Sequence, residues 1–313
     1  MEQQVEAKGH HLRIGPGVGE PAQLFGSPEE IGWVAAGGFA EVQPVRQVRP
    51  DPVGSEAGMH LVRKSAVVIA DMDTGEVLAA RDEYGQYAPA STIKVLLALT
   101  VLYELPLDAT IVANQADTKV ECNCAGVTPG QTYTTRQLLE ALLLVSGNDA
   151  ANTLATMLGG YDVAVMKMNG TAALVGAYGT NAGSPSGIDG PGIDMWSSPH
   201  DLAVIFRAAM ANPVFAEITA MPTAVFPTKN GDTVLVNQDE LLKRYPGTFG
   251  GKTGYTDLAR KTFVGGAERN GRRLVVALMF GLNKEGAPSY WDQAASLLDW
   301  GFALGPNTGV SQL

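Results

Sequence analysis

Residues 246–262 read PGTFGGKTGYTDLARKT, and the fold turns on what Gly250-Gly251-Lys252-Thr253 is. One possibility is a phosphate-binding loop, which needs Gly, four residues, then Gly-Lys-Ser/Thr. Counting back from Lys252, the first glycine should stand at 246, where the chain has Pro246. Gly247 is one residue too close, so the loop would lack a backbone N–H where a phosphate must be cradled. The other possibility is a β-strand carrying Lys252-Thr253-Gly254. On a strand, Lys252 and Gly254 point one way and Thr253 the other. The glycine lets a substrate backbone approach closely, while the lysine and threonine supply charge and a hydroxyl for a carboxylate. The first reading makes a nucleotide hydrolase, the second an acyl-transfer enzyme facing a serine nucleophile.

Two other stretches favour the second. APASTIKVLLALTVLYEL, residues 88–105, reads as an apolar helix beginning near Ser91. Ser91 and Lys94 are three apart and so share a helix face. The positive end of the helix dipole disfavours an ammonium there. A desolvated Lys94 could then accept the Ser91 proton. Alone, the pair is equally a capping serine followed by a helix-forming lysine. YTTRQLLEALLLVSGNDAANTLATML, residues 133–158, reads as two helices broken at Ser146-Gly147-Asn148. The break puts polar side chains at a cleft, although a simple helix stop and restart would look the same.

The surrounding pattern supplies an architecture. SAVVIADMDTGEVLAARD (65–82) is a hairpin turning at Asp73-Thr74-Gly75. Helices follow at DVAVMKMNGTAALVG (162–176) and SSPHDLAVIFRAAMA (197–211), the latter with Ser198 as N-cap and Pro199 at its first position. TAVFP and TVLVN read as strands. RKTFVGGAE and RRLVVALMFGL flank Asn270-Gly271, the strongest short hairpin signal. A helix, SYWDQAASLLDWGFAL, closes the pattern. Early and late strands therefore pair in one antiparallel sheet flanked by helices, with a helical block inserted between them. The fold class is α/β in the broad sense, more strictly α+β. Residues 1–60 are rich in Gly, Pro, Glu, Val and Gln without a sustained period, and read as a poorly ordered arm. Residues 61–306 form the catalytic domain and 307–313 a short tail.

Bulk properties narrow the partners. The chain has 313 residues and a net charge of −10, which argues against nucleic acid or anionic lipid. Its longest apolar run, 95–103, is far short of the ~18 residues of a membrane span. No signal-peptide apolar core is visible. The four histidines, His10, His11, His60 and His200, stand in no visible Ser-His-Asp context. Cys122 and Cys124 lack the neighbours of a metal site. They read as two small, partly buried side chains in a loop, with a disulfide as the alternative in an oxidising compartment.

Ser-x-x-Lys, Ser-x-Asn and Lys-Thr-Gly, in this order and context, form the signature set of penicillin-binding proteins and serine β-lactamases. The stretches PASTIK, LLVSGNDAANTLA, PSGIDGPG followed by SSPHDLAVIFRAAM, and GGKTGYTDLARKTFVGGA carry the match further. Over roughly 64–304 the chain resembles the D-alanyl-D-alanine carboxypeptidases, low-molecular-weight penicillin-binding proteins of actinobacterial, mycobacterial type. The resemblance implies a β-lactamase/transpeptidase-like fold with a helical subdomain. It also implies an exported, cell-envelope enzyme acting on peptidoglycan stem peptides and acylated by β-lactams, with no cofactor and no metal. By motif, Ser91 would be the nucleophile, Lys94 its general base and Ser146 the proton relay to the leaving D-alanine. Asn148 would hold the substrate amide, and Lys252 and Thr253 the terminal carboxylate. Backbone N–H groups of Ser91 and Tyr255 would form the oxyanion hole.

Departures are visible too. Many relatives carry an arginine near the start of the last helix, where this chain reads APSYWDQAA. Arg260, where relatives often have glycine, is the expected substitute in substrate binding. The sequence ends near the last helix, so neither a β-rich second domain nor a C-terminal anchor is expected, and any membrane attachment would be N-terminal. A class A β-lactamase is the first rival, but it needs a deacylating Glu-x-x-x-Asn. Glu217 and Glu240 begin no such motif. A non-catalytic penicillin-sensing module is the second rival, and nothing in the residues supports inactivity.

Overall fold

The structure, a computed structural model, describes residues 65–281, 289–304 and 308–313. The chain divides into Met1–Val45 and Arg46–Leu313, and every described residue belongs to the second unit. The arm expected over 1–60 lies outside the described residues, as do His10, His11 and His60.

Strands β1 (Ala66–Asp71) and β2 (Glu76–Arg81) form the first hairpin. A single turn of 3-10 helix, Ala90–Ile93, leads into α1 (Lys94–Glu104). A short ribbon, β3 (Thr110–Val112) and β4 (Thr132–Thr134), precedes α2 (Thr135–Leu144), α3 (Asn148–Met157) and α4 (Tyr161–Leu174). Then come α5 (Pro199–Met210), α6 (Pro213–Ala220), the ribbon β5 (Thr223–Thr228) and β6 (Gly231–Val236), and the single turn α7 (Leu241–Arg244). Strands β7 (Thr248–Thr256), β8 (Arg260–Arg269) and β9 (Arg272–Gly281) lead to α8 (Tyr290–Ala303) and β10 (Ser311–Gln312).

The main sheet has the order β10-β2-β1-β9-β8-β7, antiparallel throughout. Its central strands are apolar on both faces because both faces are covered. In β1, Ala66, Val68 and Ala70 enter the core shared with α1 through α6, while Val67 and Ile69 enter the core under α8. In β9, Val275, Ala277 and Met279 take the first side, and Leu274, Val276 and Leu278 the second. The period of two along a strand thus divides continuous apolar runs between two cores. The lysine–threonine–glycine stretch lies in β7, an edge strand, which settles the opening question against a phosphate loop.

Local chemistry sets the boundaries. Thr134 and Gln137 make a capping box at α2, and Ser289 and Asp292 another at α8. Ser198 accepts from the Asp201 N–H at the start of α5, with Pro199 at the first position. Asn270 and Gly271 turn the β8–β9 hairpin with φ of 53° and 77°, both in the left-handed region that a type I′ turn demands. The tail differs from expectation. Val310 N–H donates to Val77 O at 2.7 Å and Leu313 N–H to Gly75 O at 2.8 Å, so residues 308–313 edge the sheet and belong to the domain.

Helix α1 is the hub. Its residues 94–101 are all buried, as expected of a helix that is apolar on every side. No single helix among the described residues is long and apolar enough to cross a membrane. Leu97, fully buried, tests the hub: Leu97→Ala is expected to lower unfolding free energy by about 2–5 kcal/mol, read from urea denaturation at unchanged secondary structure.

Candidate active site

The segment carrying Ser91 is not the first α-helical turn that the spacing suggested. Residues 90–93 are 3-10 helix, and α1 begins at Lys94. The reason lies one residue earlier, where Ala90 has φ of 49°, a left-handed conformation that costs a non-glycine residue about 1–2 kcal/mol. Packing holds it there. Pro89 O accepts from the Thr92 hydroxyl at 2.6 Å and from the Thr262 hydroxyl of β8 at 2.9 Å. Two glycines press on the same turn. A Cβ on Gly254 would lie 2.7 Å from the Ser91 nitrogen, and one on Gly187 would lie 2.1 Å from Ala90 O. Gly254 is therefore required by close packing against the Thr262 hydroxyl and the Ser91 backbone nitrogen, a nearer reason than the substrate approach read from the sequence.

Lys94 is fully buried, and its Nζ lies 2.8 Å from Ser91 Oγ and 2.8 Å from Asn148 Oδ1. It also donates to Ser186 O. Burial lowers its pKa well below the usual lysine range, the charge of Lys252 lowers it further, and Asp149 opposes both. In its neutral form the amine has two N–H bonds and one lone pair; Asn148 Oδ1 and Ser186 O, which can only accept, would then take the N–H bonds and leave the lone pair for the Ser91 hydroxyl. Ser186 belongs to the PSGIDGPG stretch. Its contribution is a backbone carbonyl, which no side-chain motif could announce.

Ser146 and Asn148 join this cluster from the α2–α3 break. Ser146 adopts φ of 60°. Its hydroxyl is buried and has no hydrogen-bond partner among the described residues. Asn148 is held from a loop that the sequence reading gave no role. Its N–H donates to Asn123 O and its Nδ2 to Glu121 O, both at 2.7 Å. Asn123 Nδ2 donates back to Val145 O at 3.2 Å and Ser146 O at 3.4 Å. Asp149 accepts from the N–H groups of Ala125, Gly126 and Val127, each at 2.9 Å. Cys122 and Cys124 in the same loop form a disulfide. This corrects the reading of two unlinked side chains: their Cα atoms are 5.0 Å apart, inside the range a disulfide spans.

Lys252 is buried in β7 and donates from Nζ to Thr253 O at 2.7 Å. Burial pushes its pKa down to about 7, against the opposing charge of Asp239. Burial in turn pushes Asp239 up to about 6. Ser91, Ser146, Asn148, Thr253, Gly254 and Tyr255 line one cleft of about 510 Å³. Glu121, Asp189, Asp257 and Tyr290 are among the other residues that line it. None of those three carboxylates begins a Glu-x-x-x-Asn. Arg260 does not line the cleft. It is exposed at the β7–β8 turn with φ of 58°, a left-handed conformation that favours glycine.

The arrangement is a serine hydroxyl beside a buried lysine amine, with a second hydroxyl, an amide and a lysine-bearing strand edge close by. A family model described as D-alanyl-D-alanine carboxypeptidase matches residues 54–282. A D-alanyl-D-alanine carboxypeptidase of Mycobacterium tuberculosis is 62% identical over 274 residues, 88% of this chain and 91% of that protein. A crystal structure of a D-alanyl-D-alanine carboxypeptidase from Mycobacterium tuberculosis superposes with a TM-score of 0.78 at 66% identity, covering 79% of this chain and 94% of the other. A Streptomyces DD-transpeptidase superposes with a TM-score of 0.70 at 29% identity, covering 76% and 96%.

Lys252 gives a pH test. Its folded pKa of about 7 lies below the ~10.4 of an exposed lysine. Between these values the unfolded chain binds more protons, so stability rises with pH. Lys252→Met removes that slope. The melting temperature of the variant is expected to exceed that of the parent near pH 7, with the gap narrowing by pH 10 in a thermal-unfolding series.

Proposed function

The chain belongs to the D-alanyl-D-alanine carboxypeptidase family of serine peptidases, and on that premise we propose how its residues divide the reaction. The enzyme removes the terminal D-alanine from peptides ending in D-alanyl-D-alanine. Ser91 gives its proton to the Lys94 lone pair and attacks the carbonyl of the scissile amide. The N–H groups of Ser91 and Tyr255 receive the developing oxyanion; a donor of this kind is worth about 3–4 kcal/mol. The Ser146 hydroxyl passes the proton to the leaving D-alanine nitrogen. Water then hydrolyses the ester on Ser91. Asn148 orients Lys94 through Oδ1 and meets the substrate amide at the cleft. Thr253 binds the terminal carboxylate with its hydroxyl, and Lys252 beneath it supplies positive potential. The substrate class is the stem peptide of peptidoglycan, which places the working enzyme outside the cytoplasmic membrane. β-Lactams enter as covalent analogues of the same dipeptide.

The observation that carries this reading is the coordination of Lys94 Nζ. Two acceptors and one hydroxyl, all within hydrogen-bonding reach of a buried amine, describe a base aimed at Ser91. The hydroxyl of Ser146, buried and unpartnered among the described residues, stands ready for a proton in transit.

D-alanine release from a synthetic pentapeptide is expected, and Ser91→Ala should lower kcat at least about a thousandfold. Intact mass after benzylpenicillin should show one adduct, mapped to Ser91 and absent in the variant. Hydrolysis of nitrocefin should stop near one equivalent. Continuous rapid nitrocefin turnover would instead establish a β-lactamase.

A further inference from the structure

We propose that the Cys122–Cys124 disulfide is a positioning element for the acylation step, so that its reduction slows attack by Ser91. The inference rests on the assignment of Ser91 and Lys94 above. It starts from where the disulfide sits. Glu121, Cys122 and Asn123 line the same cleft as Ser91. Glu121 and Asn123 flank Cys122 in sequence, and their two carbonyls both accept from Asn148, one from its side chain and one from its backbone. Asn148 Oδ1 in turn holds Lys94 Nζ. A single chain of contacts therefore runs from the disulfide ring to the general base.

The ring has a geometric consequence. Residues two apart on an extended chain are separated by roughly 6.6 Å, whereas Cys122 and Cys124 are held at 5.0 Å between Cα atoms. The disulfide keeps the segment folded back so that the carbonyls before and after Cys122 converge on one residue, Asn148, at its side chain and its backbone N–H. No helix or strand contains residues 121–127, so no ladder of hydrogen bonds would keep that shape once the bond is gone. The loop would remain tethered by Asp149 at 125–127, on the far side of the ring from Glu121. Closing so short a loop removes little chain entropy from the unfolded state. The disulfide accordingly contributes little to global stability, and its effect is local to Asn148.

The ring is also within reach of reagents. Cys122 is exposed and Cys124 half-buried. A dithiol such as dithiothreitol attacks one sulfur, breaks the Sγ–Sγ bond and delivers two electrons and two protons. Two enzyme thiols and one cyclic reagent disulfide result. Oxidised glutathione reverses the step and is itself reduced to two thiols.

The test compares oxidised and dithiol-reduced enzyme, with the redox state fixed by thiol titration and intact mass. Reduction is expected to lower kcat for the pentapeptide and the rate of penicillin acylation about tenfold, the effect of loosening one hydrogen bond to a catalytic amine. KM should change less than kcat, because Thr253 and Lys252, which take the terminal carboxylate, lie on β7 and are not held by this loop, whereas Asn148 meets the substrate amide as well as orienting Lys94. The melting temperature should hardly move, and oxidised glutathione should restore the rate. The Cys122→Ser/Cys124→Ser variant should be slow and indifferent to dithiol. Asn123→Ala, which loses the donors to Val145 O and Ser146 O with the disulfide intact, should also acylate slowly. Reduced enzyme that acylates as fast as oxidised enzyme overturns the inference while leaving the function intact. A rate loss that tracks a large fall in melting temperature also overturns it, since the disulfide would then act through the fold. Oxidised enzyme that fails to acylate at all overturns the functional assignment and this inference with it.

Discussion

Burial of one lysine governs the construction of the site. Lys94 opens a helix whose next seven residues are buried, and an ammonium there would lose its hydration with little in return. The protein resolves this by surrounding Nζ with one hydroxyl and two acceptors and by keeping the cation of Lys252 near enough to disfavour a proton. Burial and the Lys252 charge push the amine toward its neutral form, which is the form that can deprotonate a serine, while the acceptors fix the position of Nζ. A buried charge in a core helix is ordinarily a defect. Here the desolvation that makes it costly also makes it reactive.

Around that amine the backbone is held in conformations it would not adopt freely. Ala90, next to Ser91, and Ser146 both have positive φ, and each is held by contacts with segments distant in sequence. The Ala90 turn is anchored to β8 through Thr262 and packed against Gly187 and Gly254. The Ser146 turn is braced by the 121–127 loop through Asn123 and Asp149. Strain at these two points is balanced by the two cores on either side of the sheet, which fix β7, β8 and α1 rigidly. Placing the two hydroxyls on strained turns lifts them out of helical faces and toward the common cleft.

Much of this was legible in the sequence, for identifiable reasons. Strand and helix order followed from periodicity and from turn chemistry at Asp73-Thr74-Gly75, Ser198-Pro199 and Asn270-Gly271. The identities of Ser91, Lys94, Ser146, Asn148, Lys252 and Thr253 followed from motif spacing, because catalysis fixes side-chain type. What stayed hidden acts through the backbone or through distance. Ser186 and Glu121 contribute carbonyls, which any residue carries. Cys122 and Cys124 pair only because the loop folds back. Arg260 was singled out only through the family resemblance, and its left-handed φ at the β7–β8 turn is a tertiary feature that no motif announces.

The sequence by itself determined which chemical groups are present and which elements carry them. Propensity, capping and the order of the three motifs are local properties, readable over a few residues. The tertiary structure decided the protonation of Lys94, the tightness that makes Gly254 and Gly187 obligatory, and the bracing of Asn148 by the 121–127 loop. Each of these depends on desolvation or close approach between segments 25 to 163 positions apart, from Asn123–Asn148 to Ser91–Gly254. Burial and packing are sums over such distant neighbours, and no window along the chain contains them.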